Sequence, residues 1–104
     1  MSAPLRRPPG VTAPAAGATT REVEVYSAKV QRAWVALMKK APVAAAREYQ
    51  ALRDAPFTIY PGRRFPRKGK QNKGVWESEP TGADRVLYTE QAGKVIVLYV
   101  GDYH

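Results

Sequence analysis

The sequence predicts an α+β domain in which an antiparallel sheet is backed by a helical hairpin. Three observations carry that prediction: a strictly alternating segment from Arg21, two amphipathic stretches divided by Pro42, and three period-two runs after Gly74. The element order is strand, two helices, then three strands, with no internal repeat.

In Arg21-Glu22-Val23-Glu24-Val25-Tyr26, polar and apolar residues alternate, the mark of a strand with one covered face. Ser27 supplies an N-cap oxygen, and Val30, Trp34, Leu37 and Met38 share one helical stripe, so a helix is expected over about 28–40. Pro42 disfavours helical geometry at Ala41 but suits the first turn of a new helix, whose Val43, Ala46, Tyr49 and Leu52 are expected to face the first. Pro56 ends that helix, while Pro61, Gly62 and Pro66 keep the next stretch irregular or at a sheet edge. The three runs are Gly74 to Glu79, Asp84 to Glu90 and Lys94 to Gly101, separated by Pro80-Thr81-Gly82 and Gln91-Ala92-Gly93. Val95 to Val100 is apolar on both faces and belongs mid-sheet.

Residues 1–20 hold four prolines and two glycines but little that is large enough to bury, and are expected to form a disordered leader to a domain over 21–104. Lys and Arg number 17 against 9 Asp and Glu, a formal charge of +8, which points to an anionic partner such as nucleic acid. The lack of cysteine excludes a disulfide scaffold and thiolate chemistry, and the single histidine leaves no His-rich zinc set. No metal or small-molecule cofactor is expected. No apolar run approaches a membrane span, so the expected location is cytoplasmic.

Six segments in order then resemble the RelE/ParE superfamily of bacterial toxins across about Arg21 to His104. The stretch Trp34 to Leu52, with Lys39-Lys40-Ala41-Pro42 between its halves, looks like the two family helices. Arg63-Arg64-Phe65-Pro66-Arg67-Lys68-Gly69-Lys70 stands where the family carries a proline- and lysine-bearing stretch, and Gly74-Val75-Trp76-Glu77 looks like its Gly-x-Trp strand start. Asp84-Arg85-Val86-Leu87-Tyr88 is similar to the Arg-x-x-Tyr strand, and Tyr99 to His104 stands where the YoeB-like branch ends in Tyr-His. The resemblance implies a four-stranded sheet backed by two helices, a cognate antitoxin as partner, and cleavage of messenger RNA on the ribosome by ribose 2′-OH attack on the adjacent phosphate.

That chemistry needs a base, an acid and positive charge around phosphorus. By resemblance Arg85 is the transition-state clamp, since an arginine fork matches two phosphate oxygens; the alternative is a strand arginine paired with Asp84, Glu77 or Glu79. His104 is the one side chain whose ordinary pKa, about 6.5, lies near neutrality, so it is the natural proton-transfer group unless it is a frayed chain end. Lys68 and Lys70 match the lysines that assist the chemistry in the RelE-like branch, and Tyr103 is a stacking group or proton donor. Arg63, Arg64, Arg67, Lys73 and Tyr99 complete a set of RNA-contact residues. The basic segment contains no glutamate, so it cannot supply the carboxylate base that the YoeB-like branch carries there. Two competing readings are a ParE-like toxin that binds gyrase without catalysis and a non-toxic RNA- or ribosome-binding domain.

Overall fold

The computed structural model describes residues 2–102, as one mixed six-stranded sheet with two helices packed on one face. In chain order the elements are β1 (Ala3–Pro4), β2 (Val23–Val25), α1 (Ala28–Lys40), α2 (Pro42–Asp54), β3 (Arg64–Pro66), β4 (Trp76–Ser78), β5 (Asp84–Gln91) and β6 (Lys94–Asp102), with a single 3₁₀ turn at Lys70–Asn72. Across the sheet the order is β1-β2-β6-β5-β4-β3.

The central position of β6 follows from its composition, for Val95, Ile96, Val97 and Val100 are all buried. Between β5 and β6, Ala92 and Gly93 both take positive φ, 53° and 79°, the tight turn whose twist matches the flanking strands. The register then slips at Leu87/Tyr88: Leu87 faces Tyr99 but Tyr88 faces Val97, which leaves Leu98 unmatched. This bulge lets Val97 and Val100, three residues apart, both reach the helix-side core. Beyond it, Tyr99 and Gly101 lie on the opposite, open face, level with Leu87 and Arg85.

One pairing departs from the all-antiparallel expectation. Strand β2 runs parallel to β6, in the register Val23↔Val95 to Val25↔Val97. Parallel neighbours need a long crossover, and here the helical hairpin and the three-stranded meander together supply it.

Helix α1 spans the expected residues; the Ser27 side chain accepts from the Val30 N–H, and Lys39 and Lys40 occupy the last turn, where positive charge favours the helix dipole. Helix α2 is rotated from the expected stripe. Its buried residues are Ala45, Glu48 and Leu52, whereas Val43 is exposed. The physical reason is that Glu48 is received by polar groups of the sheet, a burial that hydropathy alone opposes.

The leader also departs from expectation over its first half. Strand β1 pairs antiparallel with β2, Leu5 is 3% exposed, and Val11 is buried. Trp34 explains the docking: its indole N–H, inside the core, donates to the Arg6 carbonyl at 2.8 Å. Gln31 then clamps the strap from both sides, accepting from the Arg6 N–H at 3.0 Å and donating to the Pro4 carbonyl at 2.8 Å. Residues 12–19 form an exposed stretch without helix or strand.

The start of β5 is tied to the helices by Asp84, whose carboxylate accepts from Lys40 Nζ at 2.7 Å and from Thr81 Oγ1 at 2.5 Å. Burial by itself would raise the Asp84 carboxyl, but the Lys40 and Thr81 hydrogen bonds outweigh it and hold the group below the usual carboxylate range.

Two measurements check these joints. Leu5→Ala should lower unfolding stability by about 2–5 kcal/mol in urea titration, as expected for a buried leucine; an unchanged midpoint would mean the strap is not docked. Because the folded Asp84 is the stronger acid, its contribution is present above the unfolded value of about 3.9 and lost as pH falls through the lower folded value. Asp84→Asn should therefore cost about 1–3 kcal/mol at neutral pH, with the gap from wild type closing below about pH 4.

Candidate nucleic-acid interface

On β5, Val86 and Tyr88 point into the helix-side core, so alternation sends Arg85 to the open face. There its guanidinium is clasped from two directions. Nη1 donates to the carbonyls of Asp84, Gly82 and Thr81 at 2.9, 3.3 and 3.4 Å. Nε lies 3.5 Å from Glu77 Oε2, and Nη2 lies 3.4 Å from Glu79 Oε1. The side chain is only 14% exposed.

Glu77 occupies the middle of β4, where Trp76 and Ser78 face the helices and Glu77 does not. Its second oxygen, Oε1, lies 3.6 Å from Arg67 Nε. One buried carboxylate thus gathers two guanidinium groups from separate parts of the chain. Burying that charge is tolerable only because both cations are there.

Tyr99 flanks this cluster. It faces Leu87, its hydroxyl donates to the Asp102 carbonyl at 3.1 Å, and its ring is 45% exposed. The ring folds over Gly101, which sits directly across from Arg85; a Cβ there would lie 2.7 Å from the Tyr99 hydroxyl oxygen. Glycine at that position therefore lets an aromatic surface lie next to the arginine.

The remaining expected residues divide into three groups. Lys68, Lys70 and Lys73 are exposed around the 3₁₀ turn, which Asn72 braces by donating to the Lys68 carbonyl at 2.8 Å. Arg63 and Arg64 belong to the other side of the sheet edge. Arg64 faces Ser78 in register and turns toward α2, where its Nη2 lies 3.5 Å from Glu48 Oε1, so it is not part of the open-face cluster. Tyr103 and His104 fall outside the described residues; the last described residue, Asp102, pairs in register with Asp84.

Glu77 and Glu79 were seen in the sequence only as alternative partners for Arg85. What marks them as site residues is the alternation of Trp76 and Ser78 around Glu77, which fixes its face once Trp76 is placed inward. Tyr88 is core: it is fully buried, its hydroxyl donates to the Pro56 carbonyl, and burial pushes that hydroxyl's pKa upward. On the helix side, burial also raises the Glu48 carboxyl above the usual range, against the opposing pull of Ser78 and Arg64.

Among the described residues no helix is long and apolar enough to cross a membrane. No protein-family model matches the sequence, and no curated protein matches it closely. Solved structures do match. A chain of the E. coli DinJ–YafQ toxin–antitoxin complex superposes with a TM-score of 0.62 at 13% identity, over 81% of this chain and 93% of that one. A chain of the YoeB–YefM complex from Staphylococcus aureus gives 0.60 at 11% identity, over 83% and 99%. A histidine-to-glutamine mutant of E. coli YafQ gives 0.60 at 13% identity, over 79% and 92%. The family resemblance read from short motifs and the likeness of whole structures therefore coincide: the chain has the fold of the RelE/YoeB-like toxins.

Proposed function

We propose that this protein is the toxin of a type II toxin–antitoxin system and acts as a ribosome-dependent endoribonuclease. The observation that carries the reading is the open-face cluster of Arg85 and Arg67 around Glu77, flanked by Tyr99, in a chain of net charge +8. The fold's neighbours come from toxin–antitoxin complexes, which supports an antitoxin as the protein partner.

In the proposed reaction the ribose 2′-oxygen attacks the adjacent phosphorus, the O2′–P bond forms, and the P–O5′ bond breaks. The products are a 2′,3′-cyclic phosphate and a free 5′-hydroxyl. Arg85 carries the charge that builds on the equatorial oxygens, assisted by Arg67. The phosphate enters by displacing the Glu77 and Glu79 carboxylates from the guanidinium. Glu77, released but still adjacent, is placed to take the 2′-hydroxyl proton, and His104 returns a proton to the leaving O5′. Lys68 and Lys70 add field to the incoming strand, while Lys73 tracks its phosphates and Tyr99 and Tyr103 stack on bases; Arg63, across the sheet edge, lies off that path. No metal or small-molecule cofactor enters the scheme.

A second reading, a gyrase-binding toxin without catalysis, gains support from the ion pairs that Arg85 already makes with Glu77 and Glu79. Cleavage of messenger RNA on programmed ribosomes separates the two. Arg85→Ala should reduce the cleavage rate by about 10²–10³, the usual effect of losing one charge-stabilising donor. Glu77→Gln and His104→Ala should each lower it, with altered pH–rate profiles. Full cleavage by both Arg85→Ala and His104→Ala would remove the mechanism, and growth arrest with intact messenger RNA would favour the binding reading.

A further inference from the structure

A groove of about 680 Å³ runs between the strap and α1, on the side of the sheet opposite Arg85. It is much larger than the cavity of about 260 Å³ under Tyr60 beside α2, whose polar end is already closed by the contacts among Glu48, Ser78 and Arg64. Small side chains leave the space. Ala28 and Ala36 on α1 and Ala3 on the strap are too short to fill it, so Val25 and Val35 form an apolar floor.

The rim is cationic. Arg6, Arg32 and Lys39 are exposed around the groove, no acidic residue lines it, and α1 contains none at all. None of these three cations makes an ion pair among the described residues. Arg67 and Arg85, by contrast, already lie against Glu77 and Glu79. The strap and α1 therefore carry positive charge that the fold leaves uncompensated. Arg6 is a fixed part of that rim, because its backbone N–H donates to the Gln31 side chain and its carbonyl accepts from the Trp34 indole.

The shape and lining select the occupant. No aromatic side chain lines the groove, so a nucleobase has nothing to stack on, and phosphates gain nothing from an apolar floor. A strand cannot extend the sheet here, since the edge strand β1 is two residues long and contains Pro4. A helix fits. Ala28, Arg32, Val35, Ala36 and Lys39 follow one another at four, three, one and three residues, a continuous face about 16 Å long at about 1.5 Å per residue. Alanines at such a contact let a second helix axis approach to about 8–10 Å.

We infer that the strap and α1 together form a docking groove for an acidic amphipathic helix of a partner protein. Its apolar stripe lies over Val25 and Val35, and its carboxylates meet Arg6, Arg32 and Lys39. Because the groove and the Arg85 cluster lie on opposite faces, neither site depends on the other, and a partner held here leaves the open face free. The test uses full-length protein and a fluorescein-labelled peptide of alanine, glutamate and leucine, with leucines at alternating spacings of three and four, and anisotropy as the readout. Wild type should bind it about tenfold more tightly than a shuffled peptide of the same composition or the version with lysine for each glutamate. Ala36→Trp, which fills the groove from an exposed position, should weaken binding about tenfold without moving the urea midpoint. Arg32→Glu with Lys39→Glu should do the same in ~0.1 M salt and less in ~1 M salt. Equal binding of the amphipathic and shuffled peptides by wild type overturns the groove, and so does full binding by Ala36→Trp. An RNA hairpin that binds wild type when no peptide does, and is lost in the charge-reversed variant, overturns the protein partner in favour of phosphate contact. Peptide binding without messenger RNA cleavage leaves the groove standing and removes only the nuclease.

Discussion

The charged cluster depends on a single placement: the Glu77 carboxylate, buried in the middle of a three-residue strand and compensated on both oxygens by arginine. A carboxylate in that position without cations would cost several kcal/mol. Arg67 arrives from the loop after β3 and Arg85 from the start of β5, so the pairings fold the basic segment onto the face that carries the strand arginine. The same alternation sends Ser78 to the opposite face, where it meets Glu48. Through Glu77 and Ser78, strand β4 thus contributes to two polar sites on opposite faces of one sheet.

The same ion pairs fix Arg85 in the folded chain. Arg85 is held by two carboxylates and three carbonyls, and the cluster stays in a defined geometry. The ion pairs at 3.4–3.6 Å are longer than good charge-assisted hydrogen bonds, so a phosphate that approaches more closely has something to gain by replacing them. In the proposed binding, the surplus of lysine and arginine elsewhere on the surface would supply the long-range attraction and the salt dependence.

Local chemistry wrote much of this fold into the sequence. Ser27, the Val30 to Met38 stripe and Pro42 define α1 without reference to anything distant, and the Ala92-Gly93 turn defines the last hairpin. What was illegible needs partners far away in the chain. Leu5 and Val11 look like isolated apolar residues in a proline-rich leader until Trp34, inside the core, requires an acceptor for its indole N–H. Glu48 reads as solvated until Ser78 and Arg64 receive it, and that burial rotates α2 away from the stripe through Val43. For the site, Arg85 could be placed from alternation with Val86 and Tyr88. Arg64 could not, because β3 is too short to show a period and its face is decided by Glu48.

The sheet edges limit how such a protein can meet its partners. One edge is β1, which contains Pro4, and the other is β3, which contains Pro66. A proline offers no N–H to a neighbouring strand, and both edge strands are only two or three residues long, so strand addition has little to pair with at either side. Recognition then falls to faces and not to edges. The open face offers arginines already gathered around Glu77, the helix face offers α1 and the strap that crosses it, and the corner between them holds the cavity under Tyr60. A partner that covered the open face would meet the same guanidinium groups that the proposed phosphate strand would meet, and the two could not occupy it together. Mutual exclusion of that kind would follow from gathering the arginines on a face of the sheet and not at its edges.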